Sequence, residues 1–175
     1  MSNLGFDQDS TSGRACGPNT VEIHGPYTAD VTGAIGKFSV RCKTGAVCDK
    51  FKIALYADDE GAPGALIGVS AEGTLPAVDG WIDVAPVGTL NVASGSAYWL
   101  GVGGHGASGY YLLYRTTVGA IVIQSKEGVA YGSFPDPFGA YTGVSTNQTL
   151  SLYATVGAAG PKKPILLLAR RRRLM

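Results

Sequence analysis

Hydrophobic and polar positions alternate along this chain in short runs. Segments of roughly four to eight residues, rich in β-branched and aromatic side chains, recur between clusters of Gly, Pro, Asp and Ser, which is the spacing of an all-β sandwich. The alternation is clearest in Lys50–Tyr56, where Phe51, Ile53 and Leu55 fall on one side and Lys50, Lys52 and Ala54 on the other. Tyr98, Leu100 and Val102 repeat the pattern, as do Leu150, Leu152 and Ala154. The predicted strands are Thr20–Ile23, Gly36–Cys42, Lys50–Tyr56, Ala65–Ala71, Trp81–Val84, Ala97–Val102, Tyr110–Thr116, Ala120–Ser125 and Thr149–Val156. Helical periodicity is nearly absent. One-sided apolar sets need a second sheet to cover them, so the pattern predicts two antiparallel sheets packed ~10 Å apart. This sandwich is expected over residues 20–157. Residues 1–19 carry little pattern and read as an N-terminal arm or an edge segment.

Composition agrees with short strands and tight turns. Of 175 residues 45% are hydrophobic, enough for one buried core, and 26 are glycine. Charged residues make up 15%, below the usual ~25%, which excludes a coiled coil and a charged disordered chain. No apolar run approaches the roughly 20 residues that cross a bilayer, and the polar start lacks the pattern of a secretion signal. Synthesis in a cytoplasm without a signal peptide is therefore expected.

Charge separates the last segment from the body. All 13 acidic and eight of the 14 basic residues precede residue 161, leaving that stretch at −5, while the last fifteen residues hold six basic residues and no acid, +6. Residues 158–175 are thus read as a C-terminal arm in which Lys162 and Lys163, then Ile165, Leu166, Leu167 and Leu168, then Arg170, Arg171, Arg172 and Arg173 follow one another. An arginine run alone is most often a solvated chain end. Four large aliphatic side chains within it would cost on the order of 6 kcal/mol to leave wet, at ~1.5 kcal/mol each, so docking on a protein partner is expected. A membrane fits less well because the apolar run is short, and nucleic acid because no aromatics are interleaved.

Chemistry-bearing patterns are sparse. Cys42 and Cys48 flank a short stretch that, closed as a hairpin, would set them opposite one another for a disulfide, although free buried thiols are the expectation in a reducing compartment. His24 and His105 complete no zinc spacing with the cysteines, and the acidic turn at Asp58-Asp59-Glu60 lacks the later acid of a calcium loop. Neither metal nor cofactor is expected. Asp83 and Glu127 are two carboxylates that a glycosidase could use, but nothing singles them out. Nucleophile-elbow, phosphate-loop and dinucleotide patterns are absent, so a non-enzymatic protein is expected. Among the aromatics, Trp81 and Trp99 read as packing residues, and Tyr110, Tyr111 and Tyr114 as candidates for a ligand-facing strand surface that could stack on sugars.

Several of these residues together carry a family likeness. Ala54-Leu55-Tyr56-x-Asp58, Pro63-Gly64-x-Leu66, Gly80-Trp81, Gly95-x-x-Tyr98-Trp99-Leu100-x-Val102, Phe134-Pro135-Asp136-Pro137 and Leu150-Ser151-Leu152-Tyr153-Ala154 resemble a jelly-roll-type β-sandwich domain of bacteriophage and environmental viral sequences, which is also a module of bacterial surface proteins. The likeness spans Asp30 to Val156. It implies a jelly-roll-like sandwich serving decoration, fibre or adhesion, and it maps no functional residue. The expectation is a virion protein, a capsid decoration or head- or tail-associated subunit, held to other capsid or tail subunits as a homo-oligomer or on a lattice through its C-terminal arm. The alternative is an extracellular module that binds host-surface glycans.

Overall fold

The computed structural model describes residues 1–9, 12–17, 19–43, 48–105, 111–116 and 121–157, with residues 111–116 and Lys43 described by backbone alone. Strands in chain order are β1 (Ser2–Phe6), β2 (Ser12–Cys16), β3 (Thr20–Thr28), β4 (Gly33–Lys43), β5 (Lys50–Asp59), β6 (Ala62–Val69), β7 (Gly73–Thr74), β8 (Gly80–Val84), β9 (Asn91–Val92), β10 (Ala97–His105), β11 (Tyr111–Thr116), β12 (Val122–Glu127), β13 (Gly143–Thr146), β14 (Thr149–Leu150) and β15 (Leu152–Val156). No helix occurs among the described residues. One sheet has eight strands in the order β1-β15-β4-β11-β14, with β2 on β11 and β8 and β9 on β4. The other has seven in the order β13-β12-β3-β10-β5-β6, with β7 on β5. The strand pairings are antiparallel, and the chain is a two-sheet β-sandwich.

The period of two decides which side chains lie between the sheets. Phe51, Ile53 and Leu55 of β5, Leu100 and Val102 of β10, Phe38 and Val40 of β4, and Leu152 and Ala154 of β15 form the main core, each buried. Ala54 and Tyr56 of β5, Trp99 of β10 and Val21 and Ile23 of β3 point to the other side of the seven-stranded sheet, where a second apolar cluster includes the buried Phe138. The turn-rich stretch 128–142 lies over that cluster. It is held by the Leu66 N–H donating to Asp136 Oδ1 at 3.0 Å, by the Phe138 N–H donating to the Gly64 carbonyl at 3.2 Å, and by the Lys126 ammonium on the Phe138 carbonyl. Gly101 and Gly103 lie on the same face of β10, where a Cβ would meet Tyr56 and the Phe134 ring at 3.6 Å, ordinary van der Waals contact.

Polar groups also enter the interior. His24 of β3 is fully buried, its Nδ1 2.9 Å from Thr149 Oγ1 and 2.8 Å from the Tyr27 hydroxyl. Burial pushes the imidazole pKa down to about 3, so the ring is neutral.

Two readings that the sequence left open become narrower. Residues 2–6 and 12–16 are strands of the eight-stranded sheet, β1 at its edge and Leu4 in the core, so of the two readings of the N-terminal segment it is the edge segment, not the arm, that describes them. Cys42 and Cys48 do not face each other across a hairpin, because β4 and β5 belong to different sheets and Cys42 lies opposite Gly80 and Leu113. Cys16, Cys42 and Cys48 are buried thiols that form no disulfide. Burial raises the pKa of Cys42 to about 12 and of Cys48 to about 11, which keeps both protonated at neutral pH.

Candidate binding site

The outer faces of the two sheets differ. The seven-stranded sheet is covered by residues 128–142, whereas the outer face of the eight-stranded sheet carries a polar and aromatic patch. On β4, Phe38, Val40 and Cys42 point inward, so Lys37, Ser39 and Arg41 point outward. Register then sets Trp81 of β8 opposite Arg41, with Asp83 of β8 and Tyr153 of β15 on either side of Ser39. Trp81 and Tyr153 meet edge to face, with ring centroids 5.3 Å apart and planes at 63°. Both rings are half-buried.

Charged groups hold the surroundings of this ring pair in place. The Trp81 indole N–H donates to Asp9 Oδ1 at 2.8 Å. Arg41 grips Asp79 with Nε and Nη2 at 2.9 and 2.7 Å, and its Nη1 lies 3.2 Å from Asp9 Oδ1. Lys37 Nζ and the Ser39 hydroxyl both donate to the Asp83 carboxylate at 2.6 Å. The Lys37 bond first and the Ser39 bond second hold the Asp83 carboxyl below its ordinary range. Exposed pairs of this kind add little stability, so their main effect is to fix polar atoms around the rings. Ring surface beside oriented carboxylates and cations suits the C–H faces and hydroxyls of a sugar.

A second feature is an open cleft of about 660 Å³ where β2 of one sheet approaches β3 and β12 of the other. Arg14 Nη2 spans the gap to Glu22 Oε1 at 2.9 Å and to Ser125 Oγ at 3.0 Å, and the Ser125 hydroxyl donates to Glu22 Oε1 at 3.0 Å. The Glu22 side chain is 3% exposed and that of Arg14 22%. Burial opposes the Arg14 charge, but the adjacent Glu22 carboxylate holds its pKa above the ordinary value. Arg14 Nε and Glu22 Oε2 have no partner among the described residues. Cys16 also lines the cleft, and burial drives its pKa far upward, so it is no nucleophile at neutral pH.

Few of the residues singled out in the sequence can be assigned to either feature. Residues 158–175, with Lys162, Lys163, Ile165 to Leu168 and Arg170 to Arg173, fall outside the described residues, as does Tyr110. Tyr111 and Tyr114 are placed on β11 by backbone alone. Trp99 is buried packing, as expected, but Trp81 lies on the outer patch. The signal for Trp81 was present: in Gly80–Val84, Ile82 and Val84 share the core side, which turns Trp81 and Asp83 outward. Asp83 and Glu127 do not face each other across one cleft, since Asp83 lies on the outer patch and Glu127 lines the end cleft. The described residues contain no cluster of three or more His, Cys, Asp or Glu able to hold a metal.

No family model and no curated protein matches the chain. Solved structures do resemble it. A variant of the clostridial cysteine protease Cwp84, in the form left after propeptide cleavage, superposes over 88% of this chain and 40% of its own, with a TM-score of 0.55 and 11% identity. A structure of the cysteine protease and lectin-like domains of Cwp84, a surface layer associated protein of Clostridium difficile, aligns over 88% and 36%, with a TM-score of 0.53 and 12% identity. The chain thus spans less than half the length of these proteins, and at such identity the likeness is one of fold.

Proposed function

We propose that this chain is a non-enzymatic recognition module that binds glycans outside the cell, using the outer face of its eight-stranded sheet. The observation that carries this reading is the Trp81–Tyr153 ring pair, set on an outward face and ringed by Asp9, Arg41, Asp79, Lys37 and Asp83. The half-exposed rings supply apolar surface, and the fixed charges accept and donate hydrogen bonds to hydroxyls. The likeness to a surface layer protein structure that contains a lectin-like domain supports this direction. Binding to immobilised glycans tests it. Trp81→Ala and Tyr153→Ala are each expected to weaken retention about tenfold, equivalent to ~1.4 kcal/mol, with unfolding midpoints close to wild type.

A second reading is favoured by the sequence of the C-terminal segment. A +6 stretch bearing four aliphatic residues beside a −5 body suits a subunit of a virus particle that docks on neighbouring capsid or tail subunits. The readings are compatible, since a particle surface protein can itself bind a host glycan. Removing residues 161–175 is expected to leave a folded body that no longer joins its assembly, measured as occupancy on purified particles. Normal occupancy of the truncated chain contradicts the docking role.

A further inference from the structure

We infer that the outer face of the eight-stranded sheet receives the C-terminal arm of a second copy of this chain. Ile165 to Leu168 enter an apolar hollow at one end of the face, and Arg170 to Arg173 lie on the Trp81–Tyr153 rings at the other. The inference rests on the second reading for the arm being a docking element, and what it adds is the receptor. The hollow, of about 350 Å³, lies at the start of β1 and β4 and the end of β15, where Met1, Ala34, Ile35, Gly36 and Lys37 line it. Lys37 and Thr155, opposed across β4 and β15, tie it to the outer face, and the Lys37 charge is met by Asp83 at 2.6 Å. Aliphatic side chains are costly to leave wet, and the hollow offers them cover.

Spacing and charge select the arm. Five residue steps along β4 lead from Gly36 in the hollow to Arg41, opposite Trp81. Five steps also lead from Ile165 to Arg170, and each stretch covers ~17 Å of extended chain. An arm laid in the direction of β4 therefore brings aliphatics to the hollow and arginines to the rings together. At the ring end the exposed charge is acidic. The Asp9 and Asp83 side chains are 70% and 53% exposed, whereas that of Arg41, at 19%, is turned into its contacts with Asp9 and Asp79. Asp7 adds a fourth carboxylate, bonded to Asn3, which lies opposite Thr155. Four carboxylates against Lys37 and Arg41 favour a cation, and guanidinium groups both pair with carboxylates and stack on aromatic faces. The arm comes from a second copy because Pro161 and Pro164 favour an extended course for themselves and the residues before them, which leads Ile165 away from its own face. An occupied face is closed to glycan, so the glycan reading applies to copies whose face is free.

Sedimentation of the full chain over a dilution series tests the association, and NMR places it. Wild type is expected to form dimers or larger species that dissociate on dilution. Leu166→Ser with Leu167→Ser, Arg171→Gln with Arg172→Gln, and Trp81→Ala should each weaken association about tenfold, with unfolding midpoints close to wild type. Unlabelled chain carrying a nitroxide on Met175→Cys is then mixed with ¹⁵N-labelled wild type; Cys16, Cys42 and Cys48 are buried, which directs the label to the added thiol. The nitroxide should broaden the Trp81 indole N–H signal and spare that of Trp99, which lies beyond the other sheet. A monomer at every concentration, an unbroadened Trp81 signal, or equal broadening of Trp99 overturns the inference. A monomeric wild type that still loses particle occupancy when residues 161–175 are removed overturns this receptor and leaves the second reading standing.

Discussion

Replacing Trp99 with alanine is expected to lower the unfolding free energy by about 3–5 kcal/mol, the range for removing a large aromatic from a packed site. Trp99 is 1% exposed yet lies outside the main core, in the cluster between the seven-stranded sheet and residues 128–142. It lies opposite Tyr56 in the pairing of β10 with β5, and its Nε1–H donates to Asp58 Oδ1 at 2.7 Å. Gly25 makes way for the ring, since a Cβ there would approach Trp99 Cδ2 at 3.0 Å on a backbone with φ of +154°. Alanine would leave a cavity under the covering segment and strip Asp58 of a donor. Trp99→Phe, which keeps most of the ring area and loses the N–H, should cost less than alanine. Urea unfolding of the two variants measures both effects. A loss below about 1 kcal/mol for alanine would mean that the outer cluster contributes little to the fold.

Acid should unfold the protein earlier than its exposed carboxylates alone would dictate, because His24 is buried without charge. Its folded pKa of about 3 lies below the ordinary value of 6.5. Between those limits the unfolded chain binds a proton that the folded chain refuses, so stability rises with pH across the window and falls on acidification. The slope is about 1.4 kcal/mol per pH unit at most, on the order of 5 kcal/mol over the whole window. Asp83, Asp49 and Glu72 act in the same direction, since each carboxyl is held below its ordinary range, chiefly by Lys37, His105 and Lys50 respectively. Their contributions are present above the unfolded carboxylate pKa and vanish below it, so the decline that begins near pH 6.5 belongs to His24. Urea midpoints across this range should fall for wild type and stay flat above about pH 4.5 for His24→Gln. Parallel curves would assign the sensitivity to other groups.

What the sequence made legible was whatever depends on neighbours along the chain. Phe51, Ile53 and Leu55 announce their common side through spacing alone, and the same holds for Leu100 with Val102 and Leu152 with Ala154. Strand β1 was hidden because Ser2-Asn3-Leu4-Gly5-Phe6 has a weak pattern, and its pairing with β15 joins residues 2 and 156. A Cys42–Cys48 hairpin was one possibility that proximity along the chain offered. That alternative to free thiols does not arise because the chain places β4 and β5 in different sheets, a choice made by long-range packing. Trp81 needed only the observation that Ile82 and Val84 claim the core side. The end cleft was out of reach, since Ser125 meets Arg14 across 111 positions and no spacing rule anticipates that contact. The likeness of Phe134 and Phe138 to turn residues concealed their packing in the cluster of Tyr56 and Trp99 for the same reason.

Retention on immobilised glycans of wild type and Trp81→Ala, compared at matched folded fraction, addresses the recognition role most directly. The outer face of the eight-stranded sheet as the contact surface predicts that wild type is retained and that the variant elutes with about tenfold lower affinity. A variant retained as well as wild type, at an unchanged melting temperature, would contradict it.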